Sequence, residues 1–195
     1  MKRVEETAVA AHCIISNIPY HRDISLLHKS QAKNQLKMKN GFDSPKNFIE
    51  QLLPLAENAA NKLQMDPYLL LAQAALETAW GQKILSKANG ETTYNLFNIK
   101  SHNKNTMGTL VAASEEMSGV LHQETSYFRA YDSFKSSFMD YVSFLKSNPR
   151  YAKALRYAAN PEQFLYSLQQ AHFATDSLYA AKVLKIYDKL TQHIA

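Results

Sequence analysis

The sequence predicts an α+β protein, mainly α, with a small antiparallel β-lobe inserted between helices beside one buried central helix. Three observations predict it. Helix starts are marked by a polar cap followed by proline at Ser44-Pro45, Asp66-Pro67 and Asn160-Pro161, where the missing N–H costs nothing. Apolar residues after each start recur at helical spacing. Between about Asn89 and Asp132 that spacing gives way to short β-like stretches punctuated by Gly90, Gly108 and Gly119.

Taken in order, residues 1–43 hold seven Lys and Arg against four Asp and Glu and show weak apolar periodicity. They read as a loosely ordered N-terminal extension, with a helix near 23–39 and a partner-binding arm as the alternative use. The domain proper is expected over 44–195. Its first helix carries Phe48, Leu52, Leu55, Ala59 and Leu63 on one stripe, with Pro54 expected to kink or split it. The second, from Tyr68 to about Gly81-Gln82, is apolar almost all round and is therefore the buried one. Candidate strands follow at Leu96–Lys100, Thr109–Met117 and Val120–Tyr131, with a tight turn at Ser118-Gly119. Phe134, Phe138, Tyr141, Val142 and Leu145 make the stripe of a helix closed by Asn148-Pro149. Further helices are expected near Tyr151–Ala159, from Asn160-Pro161 with Phe164, Leu165 and Leu168 inward, and over about 177–193.

Composition narrows the function classes. The formal charge is +5, a modest and diffuse excess, and there is no Arg-rich tract or nucleic-acid motif, so no nucleic-acid partner is expected. The longest apolar run is far short of a membrane span. Cys13 is the only cysteine, which excludes an intramolecular disulfide. The first residues mix both charge signs and the stretch 8–18 is only weakly apolar, so no secretory signal is recognisable. His102, His122 and His172 lack the paired spacing of a metal site, and neither metal nor cofactor is assigned.

Glu77 stands out. It is the only charge in the run Tyr68–Trp80, among Leu, Ala and Trp. Lost hydration disfavours the carboxylate and raises its pKa. An acid that stays protonated near neutral pH can donate to a leaving oxygen, which points to hydrolysis of a glycosidic bond. The competing explanation is a structural hydrogen-bond anchor.

The segment Ala72-Gln-Ala-Ala-Leu-Glu77-Thr-Ala-Trp-Gly81 closely resembles the catalytic helix of glycoside hydrolase family seventy-three, in the peptidoglycan hydrolase domain of the FlgJ (flagellar rod) type. Further matches arrive in the family's order. They are Asn89-Gly-Glu, Tyr94-Asn-Leu-Phe97 with Lys100, Phe128-Arg-Ala-Tyr131, Asn148-Pro-Arg-Tyr-Ala152, and Ala174-Thr-Asp176 with Tyr179-Ala180. Together they cover about residues 44–192. Departures are small: Thr78-Ala79 where Ser-Gly is common, and Ser177 where proline is common.

The resemblance implies a lysozyme-like fold, a helical lobe and a β-lobe flanking a cleft. It implies an endo-β-N-acetylglucosaminidase that cuts β-1,4 bonds of peptidoglycan strands in the periplasm or cell wall, without cofactor. Glu77 matches the general acid. The second carboxylate falls on Glu115, with Glu116 as the neighbour that would face the other way in a strand. Tyr179 matches a cleft tyrosine. Tyr94, Asn95, Trp80 and Phe97 are the candidate substrate-binding residues, with core packing the alternative for Trp80 and turn-holding for Tyr94 and Asn95. Solvated hairpin charges and a core tyrosine are the plain alternatives for Glu115 and Tyr179. Either Glu115 as base, with inversion, or the substrate's own acetamido group could complete the reaction. A role in flagellar rod assembly, rod proteins as further partners, flagellar export and a monomeric state follow from the same resemblance. Residues 1–43 are too few for the rod-binding module of two-domain relatives. A muramidase or lytic transglycosylase on the same fold, and a non-catalytic wall-binding or rod-assembly factor, are the alternatives.

Overall fold

Six helices and one antiparallel hairpin make up the regular structure of the residues described in this computed structural model, namely 42–101, 108–117 and 120–192; over 108–126 only backbone is described. The expectations for residues 1–41 and for the turn at Ser118-Gly119 fall outside the described residues. In chain order the elements are α1 (Pro45–Leu63), α2 (Pro67–Thr78), β1 (Gly108–Met117), β2 (Val120–Arg129), α3 (Phe134–Ser147), a 3-10 turn (Pro149–Tyr151), α4 (Ala152–Arg156), α5 (Pro161–Gln170) and α6 (Tyr179–Thr191).

Local chemistry sets the helix starts. The Ser44 hydroxyl accepts from Asn47 N at 3.1 Å, Asp66 from Tyr68 N at 2.8 Å, and Asn160 from Gln163 N at 2.9 Å, each just ahead of a proline. Asp66 also receives the Tyr187 hydroxyl of α6 at 2.8 Å, which fastens the start of α2 to the last helix. Along α2 every residue from Leu69 to Ala75 is at most 1% exposed. The helix packs against α1 and α6, and at about 2 kcal/mol per buried leucine its three consecutive leucines anchor the core.

Three expectations need correction. Pro54 neither splits nor ends α1, which runs unbroken through 19 residues. Pro54 lies on the exposed face, so the backbone carbonyl left without its partner is on the side of the helix away from the core. Leu96–Lys100 is not a strand either; within it only Lys100 pairs, with Phe128. Tyr94 (φ 55°) and Asn98 (φ 47°) occupy the left-handed region and break the extended run. Asn95 holds the resulting loop from inside. Its Nδ2 donates to the Ile99 and Arg129 carbonyls at 3.1 and 2.9 Å, and its Oδ1 accepts from Ile99 N at 3.1 Å. The central helix also stops at Thr78, short of Gly81-Gln82.

The hairpin matches its expected position. β1 and β2 pair from Gly108 opposite Arg129 to Met117 opposite Val120, placing Glu115 opposite His122 and Glu116 opposite Leu121. Its base is tied to α3: Arg129 Nη1 contacts both Asp140 carboxylate oxygens at 2.7 Å, and the Tyr131 hydroxyl donates to Asp140 at 2.7 Å.

Candidate active site around Glu77

Glu77 sits in the last turn of α2, one turn after the fully buried Gln73. Immediately beyond it the chain reverses. The Thr78 hydroxyl donates to the Ala74 carbonyl at 2.6 Å and accepts from Gly81 N at 2.9 Å. Ala79, Trp80 and Gly81 then hold φ of 48°, 59° and 80°, three left-handed residues in succession. For Ala79 and Trp80 this costs on the order of 1–2 kcal/mol each, a strain stored directly beside the acid.

Glu77 itself is only half-buried. The amide of Asn98 donates to it twice, to its backbone carbonyl at 2.9 Å and to Oε2 at 3.1 Å. Tyr179, at the start of α6, is the other group that acts on the carboxyl, as a donor that lowers its pKa. Burial raises the Glu77 pKa to about 7, and the hydrogen bonds from Asn98 and Tyr179 oppose that rise without cancelling it. The carboxyl is thus substantially protonated near neutrality.

A groove of about 220 Å³ reaches this acid only through Asn98; Glu77 and Tyr179 are not among its lining residues. Asn98 forms part of its wall, together with Phe97, Ile99, Phe144, His172 and Phe173. The Phe97 ring stacks on Tyr141 with centroids 4.0 Å apart, and Phe173 lies 5.6 Å from Tyr179. Phe97 is 2% exposed, so its ring belongs to the core behind the groove, and the half-buried Phe144 and Phe173 are the rings that reach the groove.

Of the residues singled out from sequence, Glu77 and Tyr179 meet, and Phe97 lines the adjoining groove. Tyr94 is half-buried with its ring edge-on to Phe134 at 5.0 Å. Asn95 is fully buried and its amide is committed to backbone. Trp80 packs edge-on to Phe48 at 5.8 Å, on the core side of the turn. Glu115 and Glu116 are placed only by their backbone positions on β1. Three residues of this site were not singled out: Asn98, Gln73 and Tyr141. Gln73 carried a legible signal, being an amide in the apolar run four residues before Glu77, hence on the same face.

No helix among the described residues is long and apolar enough to cross a membrane. Residues 53–192 match the glucosaminidase family, described as mannosyl-glycoprotein endo-beta-N-acetylglucosaminidase. The protein named peptidoglycan hydrolase FlgJ of Vibrio parahaemolyticus is 44% identical over 151 residues, 76% of this chain and 48% of its own length. A Lactococcus lactis subsp. lactis protein named probable N-acetylmuramidase is 32% identical over 149 residues, 74% of this chain and 33% of its own length. The chain therefore spans about half the length of the curated relatives it matches, or less. Among solved structures, a C-terminally truncated glycoside hydrolase domain from Salmonella typhimurium FlgJ superposes with a TM-score of 0.63 at 36% identity, covering 76% of this chain and 99% of that one. The fold is thus the expected lysozyme-like one, mainly α with a small β-lobe, and the chain belongs to the glucosaminidase family, glycoside hydrolase family seventy-three.

Proposed function

We propose that this chain is a peptidoglycan hydrolase, an endo-β-N-acetylglucosaminidase, with residues 44–195 as its hydrolytic domain. The observation that carries the reading is Glu77: a half-buried carboxyl with its pKa raised to about 7, held by Asn98, whose side chain belongs to the wall of a groove. In this reading Glu77 donates its proton to the bridging oxygen as the bond to C1 breaks. Positive charge develops on the ring carbon, and water adds there after losing a proton to a base. Glu115 is the proposed base, and the substrate's acetamido group is the alternative first nucleophile. Tyr179 supports the acid from the protein side. Tyr94 is proposed along the sugar path, with Asn95, Trp80 and the 2% exposed Phe97 packed behind it rather than in contact with sugar. The FlgJ name of the 44% identical relative supports a role in flagellar rod assembly, in the periplasm or cell wall, with rod proteins as further partners. A monomer is sufficient for the chemistry.

The muramidase reading is kept because two relatives carry that name. Mass spectrometry of cell wall digested with the purified protein separates the two. Reducing N-acetylglucosamine ends are expected; reducing muramic acid ends would establish the other bond, anhydromuramic ends a lytic transglycosylase. No clearing of a cell-wall gel at any pH would leave a non-catalytic wall binder.

The pH dependence follows from the same acid. Glu77 acts in its protonated form, so kcat/KM should be level below about pH 6, stand near half its plateau at pH 7 and fall above that, approaching tenfold per pH unit. Turbidity assays from pH 5.5 to 9 at constant ionic strength read this limb directly. A rate still level at pH 8.5 would remove Glu77 as the acid.

A further inference from the structure

We propose that Gln73 and Tyr141 are positioning residues: the buried chain Tyr141–Gln73–Tyr179 fixes the Tyr179 hydroxyl as a donor to Glu77 and so leaves the acid's proton on a lone pair that neither Tyr179 nor Asn98 uses. This rests on the reading of Glu77 as the general acid. The Tyr141 hydroxyl of α3 donates to Gln73 Oε1 at 3.1 Å, and Gln73 Nε2 donates to the Tyr179 hydroxyl at 3.0 Å. Gln73 and Tyr141 are fully buried, and Tyr179 is 3% exposed. No water competes for these partners, and a buried polar group must find one.

The polarity of the chain follows from its last member. A carboxylate can only accept, so Tyr179 must give its hydrogen to Glu77 whenever Glu77 is ionised. Only its oxygen then remains for Gln73, which must present Nε2; Oε1 is left for Tyr141. Each donor in such a chain is strengthened by the bond its own oxygen accepts. Tyr179 keeps its hydrogen throughout, because burial first and the neighbouring Glu77 second push its pKa well above the usual tyrosine value. With Asn98 donating to Oε2 from the loop and Tyr179 donating from α6, the lone pairs turned towards the protein are occupied. The carboxyl proton is thereby left on a lone pair that neither donor uses, available for transfer to a glycosidic oxygen. The titratable groups facing Glu77 are Tyr179 from α6 and Tyr141 from α3, and both remain neutral over the working range.

The test is the double variant Gln73→Met with Tyr141→Phe. It removes both inner partners together, so that neither leaves the other unsatisfied, and keeps the side-chain volumes close to native. The Glu77 carboxyl is titrated by carbon-13 NMR, alongside kcat and KM on cell wall and a melting curve. The Glu77 titration is expected to move upward from about 7 by roughly half to one pH unit, and the basic limb of the rate profile with it. The value of kcat should fall about tenfold at unchanged KM, because neither residue lines the groove. A lowered melting temperature with an unmoved Glu77 titration would overturn the proposal, since a purely structural pair changes stability alone. Tyr179→Phe must shift the titration the same way; a shift there without one in the double variant also defeats it. The NMR readout stands apart from catalysis, so an active Glu77→Gln enzyme would sink the acid assignment while leaving the polarity of the chain to be decided by titration.

Discussion

Glu77→Gln should lose hydrolysis by on the order of a thousandfold or more, and at pH 8 it should melt at a higher temperature than the wild type. Both effects have one cause. The site holds a carboxyl where its charge is poorly solvated, and burial lifts the pKa from the ordinary glutamate value of 4.5 to about 7. Glutamine keeps the shape and an oxygen for the Asn98 amide, yet it has no proton to transfer. The stability sign follows from linkage. A folded-state pKa above the unfolded one gives stability that is complete below the unfolded value and is lost as pH rises through the folded value. Wild type therefore weakens from about pH 4.5 to 7, and glutamine does not. Since Glu77 is only half-buried, the difference at pH 8 is on the order of 2 kcal/mol, or several degrees in Tm for a chain of this size. At pH 4 the two melts should coincide. Melting curves and gel clearing on the same preparations measure both. A glutamine variant that clears cell wall, or one less stable than wild type at pH 8, contradicts the account.

What the sequence made legible is what depends on near neighbours. Ser44-Pro45, Asp66-Pro67 and Asn160-Pro161 start helices because cap and proline act within one turn. The stripe of α3 and the inward residues of α5 follow from spacing alone. Glu77 was legible because a single charge in an apolar helix must either be paired or be useful. Pro54 was misread because a proline's effect depends on which face it occupies, and that is a property of packing. Leu96–Lys100 was misread because an apolar run cannot reveal that Asn98 is left-handed and that Asn95 ties the loop to β2. Asn98 shows the same limit: its bond to Glu77 joins positions 21 residues apart. The Gln73–Tyr179 bond spans 106 positions, and no local pattern announces it. Residue spacing supplied the acid, and the fold supplied what holds it.

Gly81→Ala should be the most damaging small substitution near the site, costing about 3–5 kcal/mol and lowering Tm by roughly 10 °C. Two independent penalties add. Gly81 has φ of 80°, which an alanine adopts at a cost of about 1–2 kcal/mol. Its Cβ would also lie 2.0 Å from Cδ2 and 2.7 Å from Cε2 of Phe42, far inside contact distance. Phe42 cannot simply swing aside. It is 2% exposed, with Phe48 edge-on at 4.9 Å and Phe134 at 5.3 Å, and its carbonyl accepts the Gln82 side-chain amide. Displacing the ring would disturb α1 and α3 together. It would also strain the turn in which Gly81 N donates to the Thr78 hydroxyl, one residue past Glu77, so activity should fall beyond what unfolding explains. The double variant with Phe42→Leu separates the two penalties. If the ring contact dominates, Phe42→Leu relieves part of the damage and the pair is less destabilised than the two single losses added together. If the backbone dominates, the losses simply add, and the turn after Glu77, rather than the ring packed on it, is what demands glycine.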